Sequence, residues 1–295
     1  MYELIQAADN TFYMDCPTKV GFYKISENEV VLIDSGSDKD AAKKVKKILD
    51  AQGWKLKAIY NTHSHADHIG GNQYLQSQTG CKIYAIGIER SFTKDPVLEP
   101  TALYGGYAFK DLQNKFLMAK ESAAEELTED VLPSGMEMIR LPGHSYDMAG
   151  FRTADDVIFL ADCLSSAETI EKYKIGYLYD VKAYIETLEM VKDLKAGSFI
   201  PAHAPQTDDI APLAQLNIDK TKETAARITE LLNVPKTFEE LLTEVFNTYG
   251  LTMNLTQNVL IGSTVKSFLS YLKDAGKVNY YFDNNRMLWE KSSDI

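Results

Sequence analysis

The chain of 295 residues is long enough for one large catalytic domain with a smaller appendage, and its 45% hydrophobic and 25% charged content is typical of a globular protein with a substantial core. Its net charge of −11 disfavours nucleic acid as a partner, because a phosphate backbone would be repelled at long range. The sequence has no stretch of roughly 18 apolar residues and no signal pattern at its start, so we predict a cytoplasmic protein with no membrane partner.

Residues 1–212 alternate between strand and helix patterns. Apolar runs predict strands at 18–24, 30–34, 58–61, 82–86, 137–141 and 157–162. Helical periodicity predicts helices at 38–52, 71–78, 180–195 and 213–232. Strands that are first paired and then interleaved with helices indicate an α/β layered domain with mixed sheets. We therefore assign 1–212 to a catalytic domain.

Residues 87–133 interrupt this alternation with a partly helical segment. The segment is rich in aromatic residues, including Tyr104, Tyr107, Phe109 and Phe116. Insertions of this length within a compact domain usually carry function. We predict that this one forms a lid.

Residues 213–295 are predicted to form a helical linker and a small winged-helix-like domain. The polar, proline-bounded stretch 205–212 marks the end of the catalytic domain. After the helix 213–232, helices are predicted at 238–249 and 259–274, and a hairpin turn is predicted at 283–285. Helix, helix, helix, hairpin is the order of elements in a winged helix.

The motif with the clearest chemistry is Asn-Thr-His-Ser-His-Ala-Asp-His at residues 61–68, directly after a buried strand. Residues two apart on extended backbone project to the same side, so His63 and His65 can bind one ion. Asp67 and His68 follow as the chain turns and can reach a second ion. The glycines at 70–71 are predicted to permit a tight turn into the next helix.

Three residues elsewhere in the chain supply what this motif lacks. A catalytic metal usually takes about three protein ligands and keeps one open position, so four side chains cannot fill two sites. His144 follows one strand, Asp162 ends another, and His203 follows the apolar run Phe-Ile-Pro-Ala. Loops at strand ends gather catalytic groups. All five histidines of the chain belong to this set, which chance placement does not explain.

The sequence resembles the metallo-β-lactamase superfamily over approximately residues 1–205, since its 63–68 segment matches the family's HxHxDH motif. The resemblance implies an αββα sandwich with the site at one edge of the sheets. It implies these ligand sets: His63, His65 and His144 on the first metal, Asp67, His68 and His203 on the second, and Asp162 bridging both. Asp34, in Val-Leu-Ile-Asp-Ser-Gly, is similar to the family's early strand-end aspartate, which supports the metal loop through hydrogen bonds. An ordinary turn and cap before the helix at Asp38 accounts for the same residue equally well.

Two divalent ions roughly 3.5–4 Å apart would lower the pKa of a shared water and polarise the scissile carbonyl or phosphoryl oxygen. Asp67 and Asp162 are the predicted catalytic carboxylates. Imidazole and carboxylate ligands suit zinc, although iron and manganese also accept them. The prediction is a metal-dependent hydrolase that uses a hydroxide activated by two metal ions.

Three substrate classes remain open for this hydrolase. Thioesters, esters or lactones are favoured, because a thiolate leaving group with a pKa near 8.5 needs little protonation and no histidine is left over to protonate an alkoxide. Single-stranded RNA or another phosphodiester is the first alternative, because a winged helix after this domain resembles the β-lactamase-like protein 2 group, which includes single-strand ribonucleases. A mononuclear iron persulfide dioxygenase is the second, since it shares HxHxDH.

The C-terminal region carries little positive charge. Residues 206–295 contain 9 Lys and Arg against 12 Asp and Glu, a net charge of −3, and the candidate recognition helix holds only Lys266 and Lys273 as cations. A surface that binds a nucleic acid groove should be basic. We therefore expect this region to pack or dimerise, and the substrate to be a small molecule. A non-enzymatic scaffold is disfavoured because no ligand is lost.

Overall fold

The computed structural model describes residues 2–293. The strands are β1 (Glu3–Gln6), β2 (Thr11–Asp15), β3 (Val20–Lys24), β4 (Glu29–Ile33), β5 (Lys55–Tyr60), β6 (Lys82–Ala85), β7 (Ala124–Glu126), β8 (Glu137–Arg140), β9 (Ala149–Arg152), β10 (Val157–Ser165), β11 (Ser198–His203), β12 (Val278–Asp283) and β13 (Arg286–Lys291). The helices are α1 (Lys39–Gln52), α2 (Ala66–Ile69), α3 (Asn72–Thr79), α4 (Gly87–Lys94), α5 (Leu98–Tyr104), α6 (Ala167–Tyr173), α7 (Val181–Asp193), α8 (Ala211–Leu231), α9 (Phe238–Tyr249) and α10 (Leu255–Asp274).

Two sheets form the centre of the fold. The larger has seven strands in the order β1 to β7, antiparallel from β1 to β4 and parallel from β4 to β7. The smaller has the order β11-β10-β9-β8, in which β10 and β11 are parallel and the remaining pairs are antiparallel. Parallel pairing needs crossover helices, so helices cover the outer faces of both sheets.

Three apolar layers hold these sheets and helices together. Residues such as Val31, Tyr60 and Phe151 fill the space between the two sheets. Val45 and Leu49 of α1 pack on the outer face of the large sheet. Leu188 of α7 and its neighbours cover the small sheet. This is an αββα sandwich, so the predicted fold class is confirmed.

Helix ends agree closely with the predicted pattern, because side chains of the expected type cap them. Asp38 accepts hydrogen bonds from Asp40 N and Ala41 N at the start of α1, and Asp180 accepts one from Ala183 N at the start of α7. Four strands lie outside the apolar runs that were noted in the sequence: β1, β2, β7 and β9. They are three to five residues long, and β1 is an edge strand with no fully buried residue. Such segments lack the apolar periodicity on which prediction depends.

Part of the segment 87–133 belongs to the sandwich, and part of it forms a separate small core outside the sandwich. Within this segment, α4 and α5 fulfil the expectation of partial helicity, while β7 pairs in parallel with β6 as the outermost strand of the large sheet. Leu103, Leu112 and Leu117 of the same segment form a small core with Val259 of α10. The role of a lid stays a prediction.

The C-terminal region contains α8, α9, α10 and the β12-β13 hairpin in the predicted order. One continuous apolar core runs from Leu160 of the small sheet through Ile218 of α8 to Phe268 of α10. The winged helix stays a prediction. None of the helices within residues 2–293 is both long and apolar enough to cross a membrane.

Gly70 and Gly71 are required for space rather than for backbone freedom, which corrects the sequence argument. Their φ angles, −59° and −88°, are ordinary for any residue. A Cβ on Gly70 would instead lie 2.2 Å from the carbonyl oxygen of Ser37, and one on Gly71 would lie 2.2 Å from that of Ser35. The metal-binding motif is thus packed directly against the loop that follows β4.

We expect Gly70→Ala to destabilise the protein by about 2–4 kcal/mol, because the added methyl group meets backbone atoms that cannot move aside. Thermal or urea unfolding measures this change. Gly106→Ala is the matched control, since its nearest atom, in the Tyr104 ring, is 4.0 Å away. Equal stability of the two variants would show that the loop after β4 yields easily.

Candidate metal centre

The structure brings all seven predicted ligands together at one edge of the two sheets. They come from the loop and short helix after β5, the loop after β8, the strand β10 and the end of β11. Their candidate ligand atoms fall into two groups, within each of which all atoms lie within 4.8 Å of one another: His63, His65 and His144 in the first, and Asp67, His68, Asp162 and His203 in the second.

The first group consists of three imidazoles with converging nitrogen atoms. Nδ1 of His65 lies 3.0 Å from Nε2 of His63 and 3.0 Å from Nε2 of His144. Three ring nitrogens at this separation fit one ion with an open fourth position. This is the triad that the resemblance implied for the first metal.

The second group is organised around Asp162. Its Oδ1 lies 3.0 Å from Nε2 of His68, and its Oδ2 lies 3.2 Å from Nε2 of His203. The same Oδ2 is 3.6 Å from Nε2 of His144 in the first group. Asp67 completes the set, with Oδ2 at 3.4 Å from Nε2 of His203. Asp162 is therefore the carboxylate that faces both groups.

The donor atoms are of the kind that a cation would satisfy. Nε2 of His68 and Oδ1 of Asp162 are fully buried and, although 3.0 Å apart, have the geometry of a hydrogen bond neither to each other nor to any other residue described. Buried polar atoms are nearly always partnered, so two orphans in one cluster indicate a missing ligand. The cluster is able to bind metal ions, and its imidazole and carboxylate composition fits divalent ions such as zinc, iron or manganese.

Hydrogen bonds behind the cluster fix which nitrogen of each ring faces it. Asp34 accepts from Thr62 N at 2.8 Å, from Thr62 Oγ1 at 2.7 Å and from His68 Nδ1 at 2.7 Å. His63 Nδ1 then donates to Thr62 Oγ1 at 3.0 Å. Nε2 of both rings is left free for an ion. Asp34 thus lies where the sequence argument placed a supporting residue.

The other ligands of the second group are held by the loop before β3. Nδ1 of His203 donates to the carbonyl oxygen of Pro17 at 2.8 Å, which turns Nε2 toward Asp162. Thr18 Oγ1 donates to Asp67 Oδ2 at 2.8 Å. Sequence reasoning did not identify Pro17 or Thr18, because their role depends on contacts with residues about 50 to 190 positions away.

Burial and charge separate the two groups electrostatically. Burial lowers the pKa of His65 and of His144 to about 4, and lowers the pKa of His63 well below its usual value. Burial alone would also lower the pKa of His203, but the carboxylates of Asp162 and Asp67 raise it to about 10. The same carboxylates and Asp34 hold the pKa of His68 well above its usual value. Without metal, the three histidines of the first group are therefore neutral at pH 7, whereas the two histidines of the second group, His68 and His203, are protonated.

The sequence predicted that Asp162 ends its strand, and this is wrong. β10 continues to Ser165, and its pairing with β11 is irregular around Ala161, which has a φ of +49°. Such an irregularity re-aims a side chain within a strand. It turns Asp162 toward the histidines while the strand continues past the site.

Sequence reasoning missed Glu89 on α4. Glu89 is fully buried and accepts hydrogen bonds from Ser64 N at 2.9 Å, Ser64 Oγ at 2.5 Å, Ser145 Oγ at 2.5 Å and Asp147 N at 3.1 Å. Ser64 lies between His63 and His65, and Ser145 follows His144. One carboxylate therefore joins the two loops that carry the first group.

Sequence reasoning also missed Glu99 on α5, because its contact, like those of Glu89, is with a residue distant in sequence. Its Oε1 lies 3.5 Å from Nε2 of His65, the ring nitrogen that faces away from the cluster. Burial, and secondly the charge of Glu89, raise the pKa of Glu99 to about 8. For Glu89, the sequence did contain a signal of burial. It falls on the same face of α4 as the buried Phe92 and Thr93, where an apolar residue is expected.

A cavity of about 1320 Å³ opens beside the cluster. It is lined by Asp67, His144, Asp162 and His203, and by residues of the loop before β3, of 165–178, and of α8 and α10. A cavity of this size accommodates an organic substrate with many non-hydrogen atoms. The C-terminal region therefore contributes part of the wall around the candidate site.

Comparison with known proteins gives a consistent picture. The family described as the metallo-beta-lactamase superfamily matches residues 13–203. A hydroxyacylglutathione hydrolase of Methylococcus capsulatus is 31% identical over 128 residues, which are 43% of this chain and 41% of that protein. A beta-lactamase-like protein 2 homolog of Caenorhabditis elegans is 22% identical over 214 residues, 72% of this chain and 63% of that protein. In both cases the chain covers less than two thirds of the relative's length.

Among solved structures, a metallo-beta-lactamase family protein from Thermus thermophilus aligns with a TM-score of 0.69 at 17% identity. The alignment covers 98% of each chain. At this identity the likeness concerns the fold alone. It extends over the C-terminal region as well as the sandwich.

We expect Glu89→Gln to lower metal affinity about 10- to 100-fold, because an amide cannot accept all four hydrogen bonds that join the two ligand loops. Competition with a coloured chelator measures this affinity. Glu125→Gln is the control, since Glu125 is exposed on β7 and forms only a surface ion pair with Lys82. Unchanged affinity with intact folding would show that the loops hold their geometry without Glu89.

We expect metal-free protein to bind two divalent ions per chain and to release about two protons at pH 7. A bound ion needs unprotonated nitrogens, and the raised pKa values of His68 and His203 mean that both carry protons beforehand. Affinity of the second group should thus rise with pH up to about 10, whereas that of the first should be constant above about pH 5.

Calorimetric titration in buffers of different ionisation enthalpy counts the protons, and elemental analysis counts the ions. Release of no protons would contradict the protonated state of the second group. A reproducible single ion would instead favour the mononuclear dioxygenase.

Proposed function

Because this chain belongs to the metallo-β-lactamase superfamily, we propose that it is a hydrolytic enzyme and that its substrate is an acyl compound, namely a thioester, ester or lactone. The observation that carries the proposal is the convergence of two groups of ligand atoms on the shared carboxylate of Asp162, beside a cavity large enough for an organic substrate. Two divalent ions bound there would polarise the acyl carbonyl and lower the pKa of a water between them.

The seven side chains have distinct parts in this proposal. His63, His65 and His144 would hold one ion, and Asp67, His68 and His203 the other, with Asp162 between them. Thr18 fixes the carboxylate of Asp67, and Asp34 fixes the ring of His68. Together with the hydrogen bonds of His63 to Thr62 and of His203 to Pro17, four of the seven ligands have a second contact that holds their orientation, which helps to place a reacting water precisely.

The absence of a spare histidine favours a good leaving group. All five histidines of the chain lie in the two groups of candidate ligands. Expulsion of an alkoxide is usually assisted by a general acid such as histidine. A thiolate has an unperturbed pKa near 8.5 and needs little assistance. This difference supports thioesters over phosphodiesters.

The packing of α10 also supports a small substrate. In the predicted winged helix, α10 would be the helix that enters a nucleic acid groove. Its residues Val259, Val265 and Phe268 are buried against the rest of the protein, and Phe268 also lines the cavity. Its cations are engaged locally, since Lys266 lies 5.0 Å from the centre of the Phe238 ring and Lys273 donates to Asn279. The buried face and the engaged lysines leave α10 with little free surface that could contact a nucleic acid.

The name of one relative points to an acyl substrate. Hydroxyacylglutathione hydrolase describes an enzyme that hydrolyses an acyl glutathione, and we extend the acyl part of that description to this chain. The similarity to a beta-lactamase-like protein 2 homolog covers more of the chain, but that name gives no substrate. RNA stays the second candidate because of the family resemblance of the sequence. A direct comparison of the two substrates decides between them.

We expect kcat/KM to be higher for acyl thioesters than for a short single-stranded RNA at equal metal content and low salt. Asp162→Asn should lower acyl turnover about hundredfold or more, because an amide cannot balance the charge of two ions. Asp208→Asn, on an exposed loop, is the control and should leave turnover unchanged.

Efficient RNA cleavage with negligible acyl turnover would reverse the proposal. Loss of that cleavage in a Lys266→Ala, Lys273→Ala double variant would then assign RNA binding to α10.

A further inference from the structure

One side of the cavity is an apolar wall built outside the sandwich. The ring of Tyr177 lies with its centre 5.2 Å from that of His65 and 5.8 Å from that of His144, so this wall adjoins the first group of ligands. Tyr177 and Leu260 both pack on the small core that joins residues 103–117 to α10, and both line the cavity. Ile261 and Phe268 of α10 extend the same wall. It is suited to a hydrocarbon chain.

The opposite side of the cluster carries a lysine. Lys19 follows Thr18, which holds Asp67, and its Nζ donates to the carbonyl oxygen of Ala204, the residue after His203. Lys19 therefore adjoins the second group of ligands. It is partly buried and has no carboxylate within 4.0 Å among the residues described. One hydrogen bond leaves two N–H donors of its ammonium group free.

Outside the candidate ligands, the cavity lining is more basic than the protein as a whole. Its lining contains four lysines, Lys19, Lys172, Lys174 and Lys220, against two acidic residues outside the candidate ligands, Asp15 and Glu168. Lys174 and Lys220 pair with Glu171 and Glu223 at the surface. Lys19 is thus a cation in a wall next to the cluster that is available to an anion. Among the described residues, the ammonium group of Lys19 has one hydrogen bond and no ion pair, so it can bind an anionic group of a ligand.

We propose that the substrate is an amphipathic anion, with an apolar acyl chain against Tyr177 and Leu260 and an anionic group of the leaving part bound by Lys19. The inference rests on the proposed acyl hydrolase function and specifies its substrate class. The scissile carbonyl then lies between the two subsites, at Asp162. In the reaction, water adds its oxygen to the acyl carbon and the C–S bond breaks. One proton of the water goes to the leaving sulfur and the other to solvent, so the products are a carboxylate, an anionic thiol and a proton.

Matched thioesters test the two subsites separately. The charge probe compares octanoyl 3-mercaptopropionate with octanoyl 3-mercaptopropionamide, which differ in one negative charge. Wild type should favour the anionic ester about tenfold or more in kcat/KM, mainly through KM. Lys19→Gln should abolish this preference by lowering kcat/KM for the anionic thioester far more than for the neutral amide, and Lys19→Arg should retain much of it. Lys182→Gln, on the exposed start of α7, is the control.

The chain-length probe compares octanoyl with butanoyl esters of 3-mercaptopropionate. Each pair of methylene groups buried should raise kcat/KM by up to about tenfold. Leu260→Gln should reduce the advantage of octanoyl by lowering kcat/KM for the octanoyl thioester more than for the butanoyl thioester. Leu255→Gln on the same helix, half-exposed and outside the cavity lining, is the control.

Binding of an analogue without a scissile bond keeps the inference testable apart from turnover. Metal-free protein should bind 3-(octylsulfanyl)propanoate more tightly than its butyl homologue and more tightly than its amide, as measured by calorimetry. Acyl turnover with no preference for charge or chain length would overturn the inference and leave the proposed function standing. Absence of turnover with every thioester, ester and lactone tested would overturn the proposed function, and equal binding of the three analogues would overturn the inference independently.

Discussion

The buried carboxylate of Asp34 is the contact on which the rest of the site depends. It accepts from the backbone and side chain of Thr62 and from the ring of His68, so one residue at the end of β4 fixes the loop that follows β5. Asp34 itself has a φ of +62°, a conformation that costs energy for a side chain of its size. That strain is offset by three hydrogen bonds to a charged acceptor in a buried setting. The ligand loop is thereby held before any ion arrives.

The two groups of ligands also differ in the protonation state of their histidines. Burial outweighs the neighbouring carboxylates and keeps His63, His65 and His144 neutral, whereas Asp67 and Asp162 keep His68 and His203 protonated when no ion is bound. An ion at the second group replaces protons that already neutralise the two carboxylates, so the folded protein without metal avoids a large unbalanced charge. The same exchange makes occupancy of that group sensitive to pH.

The sequence was informative where function depends on local spacing and uninformative where it depends on contacts between distant segments. His63 to His68, His144 and His203 could be identified from their positions after strands, and the αββα fold followed from the order of elements and the family resemblance. Glu89 contacts residues 25 and 56 positions away, and Thr18 contacts one 49 positions away, so neither shows a local pattern. The irregularity that aims Asp162 also arises from pairing between β10 and β11 rather than from its neighbours in sequence.

The segments that differ most from a plain sandwich are those that shape the cavity. Residues 103–117 and α10 share a small core, and that core supports Tyr177 and Leu260 beside the first group of ligands. Had α10 belonged to an independent domain, its apolar face would be buried within that domain alone. Its face is instead shared with the catalytic part through one continuous core. Separation of the C-terminal region would expose this core and remove one cavity wall, so the region is better understood as part of the substrate site than as an attached module.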